Sequence, residues 1–200
     1  MAYALERWAT GRPEGALELA RQARELDPIG TPWALRQADF LLASRNVADA
    51  ARLYELLTRE LPNEPRAHFG LAEARKRQGR FDDAIASLAA GHAAAGNPAL
   101  QPVLATAQGE AGVRRVERVT AQLQLGELRG REAAGLYVSP LDFSRAYAQI
   151  GDATRAFGYF PAAFAERSPG LVFLNVDHVW DDVRDEPIFR EAVRRVGLAA

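Results

Sequence analysis

The chain reads as an all-α solenoid of antiparallel helix pairs, and three observations lead there. Ala16, Ala50 and Ala84 stand 34 residues apart, as do Pro28 and Pro62. Ala4, Ala38 and Ala72 keep the same step, each 12 residues before a member of the first set, and a turn-like position recurs at Gly11, Arg45 and Gly79. The pair returns as Ser144 with Ala156, around a turn at Gly151, two steps of 36 beyond Ala84. A fixed period of this length marks one supersecondary unit stacked on copies of itself. Composition agrees: hydrophobic content of 48% leans on alanine while aromatics are 8%, which suits thin helical layers better than a thick globular core.

The elements follow in order. The first repeat begins part-way along a helix, Met1 to Ala9, and lacks about its first four positions relative to the later ones. A longer parent chain or a lost upstream repeat is expected from this. With Tyr3, Leu5 and Trp8 on a helix that has no preceding partner, an apolar face is left uncovered. Such faces signal association, so a homo-oligomer formed through this N-terminal helix is one expected use of the chain.

The second repeat runs from Thr31 to Asn63. Trp33, Ala34, Gln37, Ala38 and Leu41 have helical spacing up to Ala43, and Ser44-Arg45-Asn46 break the helix. Val47 starts its partner, with Ala50, Ala51, Tyr54 and Leu57 as the stripe, and Pro62 and Pro65 bar continuation. In the third repeat His68, Leu71, Ala72 and Arg75 lie along the first helix and Gly79 turns the chain. Phe81, Ala84, Ile85 and Leu88 form the inner face of the second helix, with Asp82 and Asp83 in the first turn, where the helix dipole favours acids. Gly91, Gly96 and Pro98 are expected to close it.

The fourth unit, Ala99 to Tyr137, is degenerate. Val113, Val116, Val119 and Leu123 predict one helical stripe, and Gly126, Gly130 and Gly135 predict a loosened, irregular continuation. The fifth starts at Ser139-Pro140, an N-cap followed by proline at the first helical position. Phe143, Ser144 and Tyr147 form its first stripe, Gly151-Asp152 the turn, and Ala156, Phe160 and Ala163 the second. Pro161 inside that second helix predicts a kink near Phe157. Past Pro169 the period stops. Leu171, Val172, Phe173, Leu174, Val176 and Trp180 lead to a last helix capped by Asp185, with Ile188, Phe189, Ala192, Val193 and Val196 as its buried stripe. The organisation expected is therefore helical repeats over 1–168, about five in number, and a capping segment over 169–200.

The pattern resembles the tetratricopeptide repeat, whose 34-residue unit carries W-x2-L-G-x2-Y, then A-x3-F, then P. The matching residues are Leu71-Ala72 with Ala84 and Leu88; Ala38 with Ala50, Tyr54 and Pro62; and Phe143-Ser144-x2-Tyr147 with Ala156 and Phe160. In the tryptophan column stand His68 and Pro140, and Arg75 takes the tyrosine column of the third repeat. A narrower resemblance covers the last third. Tyr137-Val138-Ser139-Pro140, Gly151-Asp152, Glu166-Arg167-Ser168-Pro169-Gly170-Leu171 and the run from Asp181 to Phe189 look like the closing segment of repeat regions at the C-termini of large bacterial signalling proteins.

The resemblance implies a right-handed superhelix whose first helices line a concave groove. Transferred to this sequence, the open face holds Leu35, Asp39 and Leu42, then Arg66, Phe69, Glu73 and Lys76 with Arg77 adjoining, then Leu141 and Arg145. Such a lining suits an extended or helical peptide carrying acidic and apolar side chains. It implies a protein or peptide partner and a scaffolding role. It does not match the lysine and asparagine clamp of chaperone-binding members, because Asp39 and Glu73 would repel an acidic chain terminus.

Chemistry is not indicated. Net charge is −1, so no global field draws nucleic acid or an acidic membrane. Lys76 is the one lysine among 25 basic residues, a bias that codon usage in a GC-rich genome explains. There is no cysteine, no glycine-rich phosphate loop, no G-x-S-x-G elbow and no apolar run of the roughly 18 residues that span a bilayer. The N-terminus lacks the basic region of a secretion signal, from which a cytoplasmic location is expected. His178, Asp181 and Asp182 have donor atoms at helical spacing, but acids before a terminal helix are ordinary capping chemistry, so neither metal nor cofactor is expected. The sequence reads as a non-catalytic interaction module.

Overall fold

A computed structural model describes residues 31–198, together with Gly15, Glu18, Leu19, Arg21 and Gln22, which are helical. The expectations for Met1 to Ala9 lie outside the described residues. Among the described residues the regular structure is helical throughout, with no strand. It divides into two compact units, one ending at Val116 and the other beginning at Glu117.

In the first unit, helix α1 (Thr31–Ala43) pairs with α2 (Val47–Glu60), and α3 (Pro65–Arg77) with α4 (Phe81–Ala94). Turns of three residues make each pair antiparallel. The described members of the turn column share one geometry: Arg45, Gly79 and Gly151 all adopt the left-handed backbone, at φ 61, 73 and 89. The next N–H then reaches back five residues, Asn46 to the Leu41 carbonyl, Arg80 to Arg75 and Asp152 to Tyr147, which satisfies carbonyls the helix leaves open. Glycine takes this conformation without steric cost and arginine does not.

The small columns sit at the seams. Ala38, Ala50, Ala67, Ala74 and Ala84 are completely buried, and Ala51, Tyr54 and Leu57 complete the buried stripe of α2 as the spacing predicts. Two close approaches go further than alanine permits. A Cβ at Gly70 would lie 2.3 Å from the Tyr54 ring, and one at Gly91 would lie 2.6 Å from the Phe69 ring. Gly91 therefore does not end α4, which runs on to Ala94 before Gly96 turns the chain at φ 66.

The fourth unit departs from the helix-pair pattern. Its first helix shrinks to a 3-10 turn (Pro98–Leu100) and the four-residue α5 (Gln101–Leu104). Its second becomes α6 (Gly109–Ala133), a helix of 25 residues that runs unbroken through Gly126 and Gly130. The expected single stripe is corrected here. Val113 and Val116 are buried, but Leu123 is exposed, and Ala121, Leu125 and Leu128 are buried in its place. The buried side rotates along the helix, and the division between the two units falls within it, between Val116 and Glu117.

In the second unit, α7 (Pro140–Ile150) packs on α8 (Ala153–Gly158) and α9 (Phe160–Ala165). Ser139 caps α7 by accepting from the Leu141 N–H, and Asp152 caps α8 by accepting from the Arg155 N–H. Pro161 produces a full break at Tyr159 and not a kink at Phe157, since it sits in the first turn of α9, the position where proline is best tolerated. Ser144 and Ala156, both completely buried, meet at the crossing, with the Ser144 hydroxyl donating to the Ala156 carbonyl at 2.6 Å.

The segment after Pro169 shares this core. Two 3-10 turns (Pro169–Phe173 and His178–Val183) and α10 (Pro187–Arg195), with Leu174 just after the first turn, contribute Leu171, Leu174, Trp180, Phe189 and Val193 to one cluster with Phe143, Phe157 and Phe160. Two details of the expected cap are corrected. Glu186, not Asp185, precedes α10 and makes no side-chain cap, and Ile188 is exposed, so the buried stripe reduces to Phe189, Ala192 and Val193 with Val196 half-buried.

Candidate functional site

Helix α3 carries five of the groove residues inferred from the sequence. Residues 66, 69, 73, 76 and 77 share one side of a helix with 3.6 residues per turn. Glu64 starts the helix by accepting from the Arg66 N–H at 3.1 Å, and Pro65 fills the first helical position. Arg66 is exposed and reaches across to α1, where its Nη2 lies 3.1 Å from Oδ2 of Asp39. Asp39 also accepts the Tyr54 hydroxyl at 2.7 Å and has Arg36 at 3.6 Å. Burial, with Asp39 adding to it, pushes the Tyr54 phenol far above its usual range, so it remains a donor.

Glu73 is buried, with Lys76 Nζ at 2.6 Å and Arg77 Nε at 2.7 Å on its two oxygens. Arg77 also donates to the Leu42 carbonyl of α1 at 3.2 Å. The two acids of this face are thus enclosed by Arg36, Arg66, Lys76 and Arg77. Four cations against two acids leave the surface electropositive, where the sequence alone suggested an interrupted, mixed lining. Phe69 is half-buried across Gly91 and meets the His92 ring edge-on at 4.9 Å.

The remaining members lie elsewhere. Leu35, Leu42 and Leu141 are 3%, 7% and 4% exposed; they are core side chains and line no open surface. Arg145 is ion-paired with Asp177 of the closing segment. Leu141 and Arg145 belong to the second unit and the other eight to the first. His178 is exposed with Asp177 at 3.9 Å, Arg184 takes Asp181 at 2.6 Å, and among the described residues no three acids or histidines gather as metal ligands.

A second concavity was not anticipated. On the opposite side of α3, a cleft of about 280 Å³ opens between α2 and α4, lined by Glu55, Thr58, Arg59, His68, Leu71, Arg75, Ala86, Ser87 and Ala90. The signal for it was present in the two departures of the third repeat, His68 and Arg75, which put polar side chains where the repeat pattern has aromatics.

A tetratricopeptide repeat family model matches residues 7–68 and again residues 41–107. The chain belongs to the tetratricopeptide repeat family. The match spans the helix pairs α1–α2 and α3–α4, while α7–α9 lie beyond it and keep the small-residue crossing of a repeat. No curated protein matches the chain significantly in sequence. Repeats of this kind generally mediate protein–protein interactions. Among the described residues, no helix is long and apolar enough to cross a membrane.

Proposed function

We propose that the chain is a non-catalytic interaction module that binds an acidic peptide segment across α1 and α3. The observation that carries this is the electropositive row of Arg36, Arg66, Lys76 and Arg77, whose two neighbouring acids are already engaged. Phe69 beside it supplies an apolar contact, and aromatic and arginine side chains tend to dominate binding energy. The peptide's acids pair with the row and an apolar residue two or three positions away covers Phe69. The ordered motifs from Tyr137 to Phe189 support a further assignment by resemblance alone, as the C-terminal interaction region of a larger bacterial signalling protein.

The test is a random peptide library selected on the purified protein, followed by anisotropy titration of the enriched peptides. Acidic peptides with an apolar residue should emerge, bind more weakly as salt rises, and lose about tenfold or more in affinity in Arg66→Gln/Lys76→Gln, with helicity retained. Phe69→Leu is the suitable apolar variant, because alanine would empty the space over Gly91. Peptides without acids, or affinity indifferent to the double change, would refute this surface.

A further inference from the structure

The cleft on the other side of α3 has features that a packing defect would not. Where the repeat pattern calls for tryptophan and tyrosine, aromatic side chains would fill the space between α2 and α4. In the second and fifth repeats the same column is apolar: Leu41 and Tyr147, both buried, stand where the third repeat has Arg75, while the first repeat has Arg7 there. In the third repeat the column is polar, and the volume stays open.

Arg75 is held rigidly there. Its Nη1 donates to Ser87 Oγ at 2.8 Å and its Nη2 to Glu55 Oε1 at 3.1 Å, while its Nε, shielded from solvent, has no hydrogen-bond partner. The guanidinium is thus fixed in the cleft wall, and its Nη2 keeps a second hydrogen beyond the Glu55 contact. Arg59, exposed on the cleft wall, has no ion pair among the described residues. The Thr58 and Ser87 hydroxyls already donate to backbone carbonyls, and His68 donates through Nε2 to the Pro62 carbonyl at 2.9 Å. Two arginines against Glu55 leave one net positive charge, and Leu71 and Ala90 provide an apolar wall.

We propose that this cleft is a second recognition site, on the opposite side of α3 from the electropositive row, and that it takes one carboxylate side chain of a partner protein. A monoanion balances the single excess charge, whereas a phosphate dianion would face Glu55 unneutralised. The aliphatic stem of a glutamate lies along Leu71 and Ala90, and its carboxylate pairs with Arg59 and offers an acceptor to the second hydrogen of Arg75 Nη2. This site is independent of the peptide surface proposed above.

The experiment is an NMR titration of the intact chain that follows the arginine Nε–H signal of Arg75 and the ring of His68. The probes are N-acetyl-glutamate N-methylamide, its glutamine counterpart and inorganic phosphate. The glutamate probe should give saturable shifts of both groups, the glutamine probe none, and Arg59→Gln should weaken binding about tenfold, the loss of one charge-assisted contact. Arg66→Gln, on the far side of the helix, should leave the titration unchanged even if it abolishes peptide binding. Equal shifts with the glutamine probe, no saturation, indifference to Arg59→Gln, or tighter saturation by phosphate would each overturn the carboxylate site.

Discussion

At the scale of single residues, the repeat is held by what is missing as much as by what is present. Gly70 and Gly91 both stand where a neighbour's aromatic ring occupies the space of a methyl group. Their consequences differ because the rings differ in freedom. Tyr54 is completely enclosed and hydrogen-bonded to Asp39, so Gly70→Ala must distort the α2–α3 seam; a loss of about 2 kcal/mol is expected, within the overpacking range. Phe69 is half-buried and can tilt outward, so Gly91→Ala should cost clearly less. Thermal melts of the two variants check the order, and a reversed order would mean that the ring positions are not as described. His92 adds a pH dependence. Burial holds its imidazole below the ordinary value of 6.5, so the unfolded chain binds the proton more readily than the folded one. Stability contributed by the neutral ring is therefore complete above about pH 6.5 and lost as pH falls towards the folded value. The fall in melting temperature below that pH should be shallower in His92→Gln than in the parent.

At the scale of elements, α6 shows how context overrides local propensity. Three glycines predict a loosened segment, yet the helix continues through Gly126 and Gly130 and stops only before Gly135, which turns at φ 74. Burial of Leu125 and Leu128 in the core of the second unit supplies what the glycines withhold. A Cβ at Gly126 or Gly130 meets nothing within 4 Å. Gly126→Ala and Gly130→Ala should therefore each stabilise the protein by about 0.5–1 kcal/mol, through lower entropy of the unfolded chain. Slower amide exchange in the second half of α6 reports it directly; unchanged exchange would place the limiting opening elsewhere. The same contest ran the other way at α8 and α9, where Pro161 removed a backbone donor and the chain restarted a helix at Phe160.

At the scale of the whole molecule, the described residues form two large buried clusters with no residue in common, one around Ala50, Tyr54 and Leu71 and the other around Phe160 and Trp180. Trp180, 1% exposed, meets Phe160 edge-on at 5.7 Å and Phe189 at 5.8 Å. Trp180→Ala should cost about 3–5 kcal/mol in the second unit, as large core truncations do. Hydrogen exchange should rise across α7–α9 and α10 while α2–α4 keep their protection; loss of protection in both would show that the cores unfold together. For the same reason, deletion of Leu171 to Ala200 is an unfit probe of binding, since it removes part of that second core.

The sequence by itself determined the helix pairs and their register. Alanine at a crossing, a left-handed residue at the turn and proline after the second helix are local steric requirements, and a 34-residue step repeats them, so Ala50, Ala84, Gly79 and Gly151 could be assigned before any coordinates. The expected binding face was legible only in part. Arg66, Glu73, Lys76 and Arg77 share one side of α3 by helical spacing, but Leu35, Leu42 and Leu141, inferred to lie open, are buried. Helical spacing gives the direction in which a side chain points and not what stands in front of it. Tertiary structure alone decided that Asp39 and Glu73 are enclosed by cations, that α6 changes its buried side part-way along, and that the space around His68 and Arg75 stays open. Each depends on atoms brought together from different helices, and no periodicity within one helix records them.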